Sequence, residues 1–207
     1  MKTREIPEMA GRRFDLVVVG GGIAGAGIAR DAALRGLTVL LVEKGDWGGA
    51  TSSSCSKLVH GGLRYLEHYR FSLVRESLQE RRTLLEIAPH LVRPLPFLLP
   101  FYRDRGRARW KVRVGLGLYD LLAGRGGLGR HRLLDAEAVH EEEPHLQREG
   151  LQGAAFFQDA QMDDARLVLE NVLDARENGA RCLSRVLCTD LLVADGRVRG
   201  VRLRDLL

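Results

Sequence analysis

The sequence predicts an α/β fold built on a doubly wound parallel sheet, with further chain inserted into it. Three observations predict it. Residues 14–19 read FDLVVV, a short β-branched run suited to a buried strand. Gly20, Gly21 and Gly22 break that run, and IAGAGIARDAALR follows with small and apolar residues at helical spacing and Gly36 at its C-terminal end. Residues 38–42 read TVLLV, a second buried strand that ends at Glu43. Strand, helix and strand in that order form a crossover, which joins parallel strands.

The later elements are predicted in turn. From Ser72 to Ala88, Leu73, Leu78, Leu84, Leu85 and Ile87 recur at near-helical spacing, and Pro89 stops the run. LVRPLPFLLPFYR, residues 91–103, is extended and punctuated by proline. Residues 103–130 are rich in Arg and Gly around the aromatic and aliphatic patch VGLGLYDLL. The spacing predicts a helix over 163–178, with Asp163 and Asp164 leading it and Gly179 following. In the tail, Asp195-Gly196 marks a hairpin turn, and Val201 and Leu203 alternate with Arg202 and Arg204. No internal repeat is present. The chain stops just after that alternating segment, with an α/β core still incomplete, so the expectation is an N-terminal portion of a longer protein.

Bulk properties narrow the class. Hydrophobic residues make up 45% and charged residues 29% of 207, which favours a packed globular core over disorder. No apolar run approaches the roughly 18 residues of a membrane span. MKTREIPEMAGRRF lacks the apolar stretch and cleavage pattern of a signal peptide, so a cytoplasmic location is the default expectation. The cysteines are Cys55, Cys182 and Cys188; an odd count without a CxxC spacing suggests neither a disulfide framework nor a zinc site, and no metal is expected. A net charge of +5 favours anionic partners only weakly.

The first chemical signal is G-x-G-x-x-G at Gly20, Gly22 and Gly25. Gly20 permits a tight turn, Gly22 lets a pyrophosphate approach the backbone, and Gly25 lets the helix lie close to the strand. The helix N-terminus offers unpaired N–H groups and a positive dipole end to phosphate. Glu43 ends the next strand, where a carboxylate accepts from an adenosine ribose hydroxyl, and an acid there disfavours a ribose 2′-phosphate. This motif does not choose between FAD and NAD.

The segment TSSSCSKLVHGGLRYLE, residues 51–67, does. Its apolar periodicity is weak, so core packing does not explain it. A flavin's second half needs donors for its pyrophosphate, ribityl chain and ring edge. Thr51, Ser52, Ser53, Ser54 and Ser56 supply short hydroxyls, Lys57 a cation, and Gly61 and Gly62 a backbone that can pass close to a flat ring. The plain alternative is a solvated serine-rich loop.

At these residues the sequence closely resembles the FAD-dependent glycerol-3-phosphate dehydrogenases. The matching pieces are VVVGGGIAGAGIARDAALRGL, GGATSSSCSKLVHGGLRYLE, RRTLLEIAPHLVRPLPFLLP, LGLYDLLAG and FFQDAQMDDARLVLENVLDA. The resemblance implies a Rossmann-like FAD-binding domain of the glutathione-reductase-like type with an inserted substrate or cap region. The expected partition is 1–90 and 161–207 for the FAD-binding domain and 91–160 for the partial cap. It implies oxidation of sn-glycerol 3-phosphate to dihydroxyacetone phosphate by hydride transfer to the flavin, with electrons passed to a quinone. By carry-over, Gly20, Gly22, Gly25, Glu43 and Lys44 hold the adenosine end of FAD. Thr51, Ser52, Ser53, Ser56, Lys57, Leu58, His60, Gly61 and Gly62 lie along the remainder, and Arg64 and Tyr65 approach the substrate. A guanidinium suits a phosphate dianion because two N–H groups engage it at once. The implied setting is peripheral, on the inner face of the cell membrane, and a homodimer is compatible with it. Cys55 departs from the pattern, since relatives usually have serine there. A thiol is a weaker donor, so one contact near the flavin is lost or passes to backbone; a buried inert thiol is the expectation, and a reactive, oxidisable thiol near the cofactor is the alternative.

Other features carry open alternatives. His60 either tunes a flavin edge or only orders its loop. His140 and His145 flank EEEP, which reads as a solvated acidic turn rather than a metal site. Asp159, Asp163 and Asp164 resemble an acid–base cluster, but the last two more simply start a helix. Residues 91–130 hold nine Arg or Lys against two Asp, interleaved with Phe97, Phe101, Tyr102 and Trp110. Such a surface suits anionic lipid, or a cap packed by its aromatics; no nucleic-acid motif accompanies it. Two rivals stand beside the dehydrogenase. One is an oxygen-reducing glycerol-3-phosphate oxidase or another flavin oxidoreductase of the same fold. The other is an inactive truncated product that binds FAD or an adenine nucleotide without chemistry, and the 207 residues alone are expected to be inactive.

Overall fold

The structure, a computed structural model, describes residues 11–103, 108–124 and 127–207. The reading of the first ten residues as free of a targeting segment lies outside the described residues, as do Arg105, Arg107 and Arg125 of the basic stretch. In chain order the elements are β1 (Leu16–Val19), α1 (Ile23–Leu34), β2 (Val39–Val42), β3 (Leu58–Val59), α2 (Phe71–Ile87), β4 (Val92–Tyr102), α3 (Arg109–Ala123), β5 (Arg132–Leu134), α4 (Ala136–Glu142), β6 (Leu151–Met162), α5 (Asp164–Glu177), β7 (Arg181–Leu183), β8 (Val186–Ala194) and β9 (Arg197–Asp205). Short 3-10 helices cover Thr51–Ser53 and Leu63–His68.

The chain forms two compact units, Met1–Ser56 with Asp163–Leu207, and Lys57–Met162. The sequence places the boundaries at 90/91 and 160/161 instead. The first differs because Lys57 to Ala88 has its partners in the second unit: Leu58 pairs with Gln161, and Leu66, Val74 and Leu78 pack with Tyr119.

The first unit is an α/β core. β1, β2 and β7 form a parallel sheet in the order β1-β2-β7. All four β2 residues are buried, as expected of a strand covered on both faces. Val39 and Leu41 turn to one face and pack on Ala26, Ala29, Ala32 and Ala33 of α1 and on Val168, Val172 and Ala175 of α5. Leu40 and Val42 turn to the other, where Val186 and Leu203 of the β8–β9 hairpin cover them. The alanines explain why α1 and α5 can lie so close, and Arg30 of α1 adds an ion pair to Asp174 of α5. α1 ends as its sequence predicts: Gly36 takes φ +80°, and Gly36 N–H donates to Ala33 O at 2.9 Å. Asp195 and Gly196 both have positive φ, the arrangement of a two-residue hairpin turn.

The second unit is antiparallel. β6 is its central strand, flanked by β4 on one side and by β3 and β5 on the other. β4 and β6 pair over almost their whole lengths, and Phe97 stacks on Phe157 across them with ring centroids 5.3 Å apart. β4 is an edge strand and carries Pro94, Pro96 and Pro100, all on even positions. α3 buries Val112 and Leu116 against Phe101 and Ala155.

Cys182, on β7, packs against the first unit's core. Burial pushes its thiol from the ordinary 9.0 up to about 11, with the Arg176 charge opposing. A raised folded pKa favours folding while the thiol is neutral. That contribution is fully present below pH 9.0 and is lost as pH rises through about 11. Iodoacetamide mapping should therefore show Cys182 modification rising only as pH nears 11 in the folded protein, and near 9.0 in denaturant.

Candidate cofactor site

The glycine turn sits between β1 and α1. Gly20 has φ +112°, a conformation that favours glycine, and its N–H donates to Val42 O at 2.8 Å. A Cβ on Gly25 would strike the carbonyl oxygen of Gly20, so glycine is what lets α1 approach the strand end. A Cβ on Gly22 would meet only Ser52 Oγ, at 3.2 Å, so the approach to that backbone is otherwise open. Gly21, which the motif leaves unspecified, is equally constrained: a side chain there would run into the Trp47 ring. Trp47 is the signal that sequence reading passed over.

Two groups converge on this turn. Glu43, at the end of β2, accepts from Gly21 N–H through Oε2 and from Gly45 N–H through Oε1, each at 2.7 Å. The carboxylate is thus fixed beside the turn, and each oxygen keeps lone-pair capacity for a further donor. Ser52 Oγ accepts from Ile23 N–H at 3.0 Å, on the first residue of α1. The hydroxyl-rich segment therefore faces the glycine turn and occupies one of the donors that a phosphate would take.

The other residues of that segment divide. Ser53 Oγ donates to Gly48 O at 2.7 Å and holds its own loop. Lys44, Thr51 and Ser56 are exposed. Cys55 is exposed rather than buried, contrary to expectation, and its thiol lies 3.1 Å from Asp164 Oδ2. The serine-to-cysteine departure thus meets the first turn of α5, because Asp164 is turned inward there and is only 3% exposed. Asp163 caps α5 by accepting from Arg166 N–H at 3.0 Å, the helix-start role its position predicts.

The second set, Lys57 to Tyr65, belongs to the other unit. Lys57 has φ +58°, and its carbonyl accepts from Met162 N–H at 2.9 Å. Leu58 lies in β3, opposite Gln161. His60 is exposed, whereas Gly61 and Gly62 are buried. Gly62 precedes the 3-10 helix that carries Arg64 and Tyr65, both exposed.

Beneath this loop lies a cluster that sequence reading missed. Gly61 N–H is shared between Tyr119 Oη, 2.9 Å, and Asp159 Oδ1, 3.1 Å. Arg81 Nη1 donates to Asp159 Oδ1 at 2.7 Å, and Tyr119 Oη donates to Asp159 Oδ2 at 2.9 Å. Burial, and then the Asp159 charge, push the Tyr119 hydroxyl well above the usual tyrosine range. The available signal was a charge on the apolar stripe of α2: Val74, Leu78 and Arg81 share its buried face, whereas Leu73 and Ile87 are exposed.

The turn makes a folding prediction. Gly25→Ala places a methyl against backbone that cannot swing aside, so it should destabilise the protein by about 1–3 kcal/mol, read from the denaturant midpoint. Gly27→Ala, with nothing near its Cβ position, should not.

Comparison with known proteins places this geometry. Residues 15–205 match the family model described as FAD dependent oxidoreductase. A glycerol-3-phosphate dehydrogenase of Synechocystis sp. is 47% identical over 184 residues, covering 88% of this chain and 33% of the relative. An alpha-glycerophosphate oxidase of Streptococcus pyogenes is 42% identical over 206 residues, covering 98% of this chain and 34% of the relative. The solved glycerol-3-phosphate dehydrogenase from Bacillus halodurans, complexed with FAD, superposes with a TM-score of 0.72 at 32% identity, over 97% of this chain and 32% of that one. The chain thus spans about a third of the length of the relatives it matches. The glycine turn, the carboxylate beside it and a family match running over nearly every described residue lead to one conclusion: the chain belongs to the FAD dependent oxidoreductase family.

Proposed function

We propose that this chain carries the flavin-binding part of an enzyme that oxidises sn-glycerol 3-phosphate to dihydroxyacetone phosphate and delivers the electrons to a quinone. The observation that carries the reading is the seating of Ser52 Oγ on Ile23 N–H, which ties the segment resembling glycerol-3-phosphate dehydrogenases to the dinucleotide turn. The names of the relatives support the substrate.

The residues present fit FAD. The N–H groups at the start of α1 and the open backbone at Gly22 suit the pyrophosphate, and Glu43, with Lys44 beside it, suits the adenosine ribose. Thr51, Ser52, Ser53 and Ser56 offer hydroxyls to the phosphates and ribityl chain; Lys57, Leu58, His60, Gly61 and Gly62 follow along the cofactor. When bound, FAD supplies the acceptor for the hydride that leaves C2 of the substrate. Arg64 pairs with the substrate phosphate, and Tyr65 offers a hydroxyl beside it. The domain roles follow the same reading, with the sheet-and-helix unit as the cofactor domain and the antiparallel unit as part of the substrate or cap region.

One surface supports the quinone. On α3, Trp110, Val114 and Leu121 are 65%, 63% and 75% exposed, and Arg109, Lys111 and Arg113 stand exposed among them. An apolar stripe flanked by cations suits the headgroup layer of anionic lipid, where quinones are reached. Among the described residues no helix is long and apolar enough to cross a membrane, so the contact proposed is peripheral. The oxidase names of several relatives favour a second reading, with oxygen as acceptor.

The test is an assay of the full-length holoprotein with glycerol 3-phosphate. Quinone reduction without stoichiometric peroxide supports the first reading, peroxide supports the second, and no turnover with either acceptor rejects both. Gly22→Val should abolish FAD retention while leaving the folded state in place, since its side chain meets the open approach rather than backbone; flavin absorbance after gel filtration reads this. Arg64→Ala should keep the flavin and raise KM for glycerol 3-phosphate by roughly tenfold or more.

A further inference from the structure

Arg81, Tyr119 and Asp159 are 1%, 3% and 3% exposed, and the proposed chemistry assigns none of them a role. They come from α2, α3 and β6: Tyr119 and Asp159 both accept from the backbone amide of Gly61, and Arg81 donates to each of those two acceptors. The hydroxyl of Tyr119 is fully committed. It gives its proton to Asp159 Oδ2 and accepts from Gly61 N–H and, at 3.3 Å, from Arg81 Nη1. Arg81 also reaches Gln158 O at 3.5 Å, while its Nε has no hydrogen-bond partner among the described residues. The Tyr119 proton is thus held by Asp159, and its lone pairs by Gly61 and Arg81. From the same side, Leu78 and Tyr119 fill the space where a Gly61 side chain would stand. The loop is therefore held by both hydrogen bonds and contact at the residue between His60 and the 3-10 helix bearing Arg64 and Tyr65.

Stability alone does not account for such a cluster. A buried ion pair is often matched or bettered by apolar side chains of similar volume, and its best-attested benefit is to fix one arrangement among several. We propose that Arg81, Tyr119 and Asp159 are positioning residues, which hold the His60–Tyr65 segment in the single backbone arrangement that its contacts with flavin and substrate require. The proposal rests on the site reading of the preceding subsection and adds three residues to it.

The experiment uses the full-length holoprotein with Tyr119→Phe, which keeps the ring among Leu66, Val74 and Leu78 and removes the oxygen. Leu116→Ala, a cavity in the neighbouring core, is the control for lost stability. Three readouts are taken: hydrogen exchange over residues 57–66, the flavin absorption band, and kcat with KM. Faster exchange, a shifted band and a kcat lowered by roughly tenfold or more in Tyr119→Phe, at a Tm loss that leaves Leu116→Ala active, support the proposal. Unchanged exchange overturns it, because the cluster then does not hold the loop. Faster exchange with an unchanged band and kcat also overturns it, since the role is then structural only. Should Tyr119→Phe fail to fold, Arg81→Lys replaces it, and the same outcomes decide. Absence of wild-type turnover with glycerol 3-phosphate would count against the proposed substrate alone; exchange and the flavin band would still decide the positioning role.

Discussion

The Gly20 carbonyl and the Gly25 α-carbon share a space that admits no side chain. That contact sets the angle at which the chain leaves the sheet and begins its first helix. From it follow the alanine face of α1, the seat of α5 beside that face, and the direction in which the helix N-terminus points its amides. Glu43 and Ser52 can meet those amides because the turn is this tight. A looser turn would keep the same residues and lose their convergence.

The two units are stabilised by different physics. In the first, small and β-branched side chains pack on both faces of a parallel sheet, and the ion pair of Arg30 with Asp174 between its helices is partly exposed and worth little. In the second, a charge pair sits under a loop, wrapped by aliphatic and aromatic side chains. Apolar packing tolerates small adjustments, whereas a buried charge with assigned partners does not, because any displacement leaves it unpaired. The stricter device lies beneath the segment proposed to meet flavin and substrate.

Much of the first unit was legible because its signals are local. A β-branched run, three glycines and a second such run define β1, α1 and β2 within residues 16–42, and Asp163 marks the start of α5 through its own cap. The second unit was harder to read because its defining contacts are distant in sequence. β6 runs through Gly153, Ala154 and Ala155, residues of low strand preference, and owes its conformation to β4, some fifty residues earlier. Gly115 and Gly117 disguised α3, which the packing of Val112, Leu116 and Tyr119 holds in place. Around the glycine turn, spacing marked Gly20, Gly22, Gly25 and Glu43 as candidates. It could not reveal that Asp159 pairs with Arg81, since no local pattern joins residues on α2 and β6.

The prolines of β4 bear on how this protein meets other chains. Along an extended strand, successive backbone groups point to alternate sides, so Pro94, Pro96 and Pro100 all place their nitrogens on the same side. Among the described residues β4 pairs with β6 alone, so that side is the side turned away from β6. An incoming strand would find carbonyl oxygens there but no N–H at three of its docking points. Along β4 the prolines thereby disfavour the addition of a further strand, and they do so without a charged side chain.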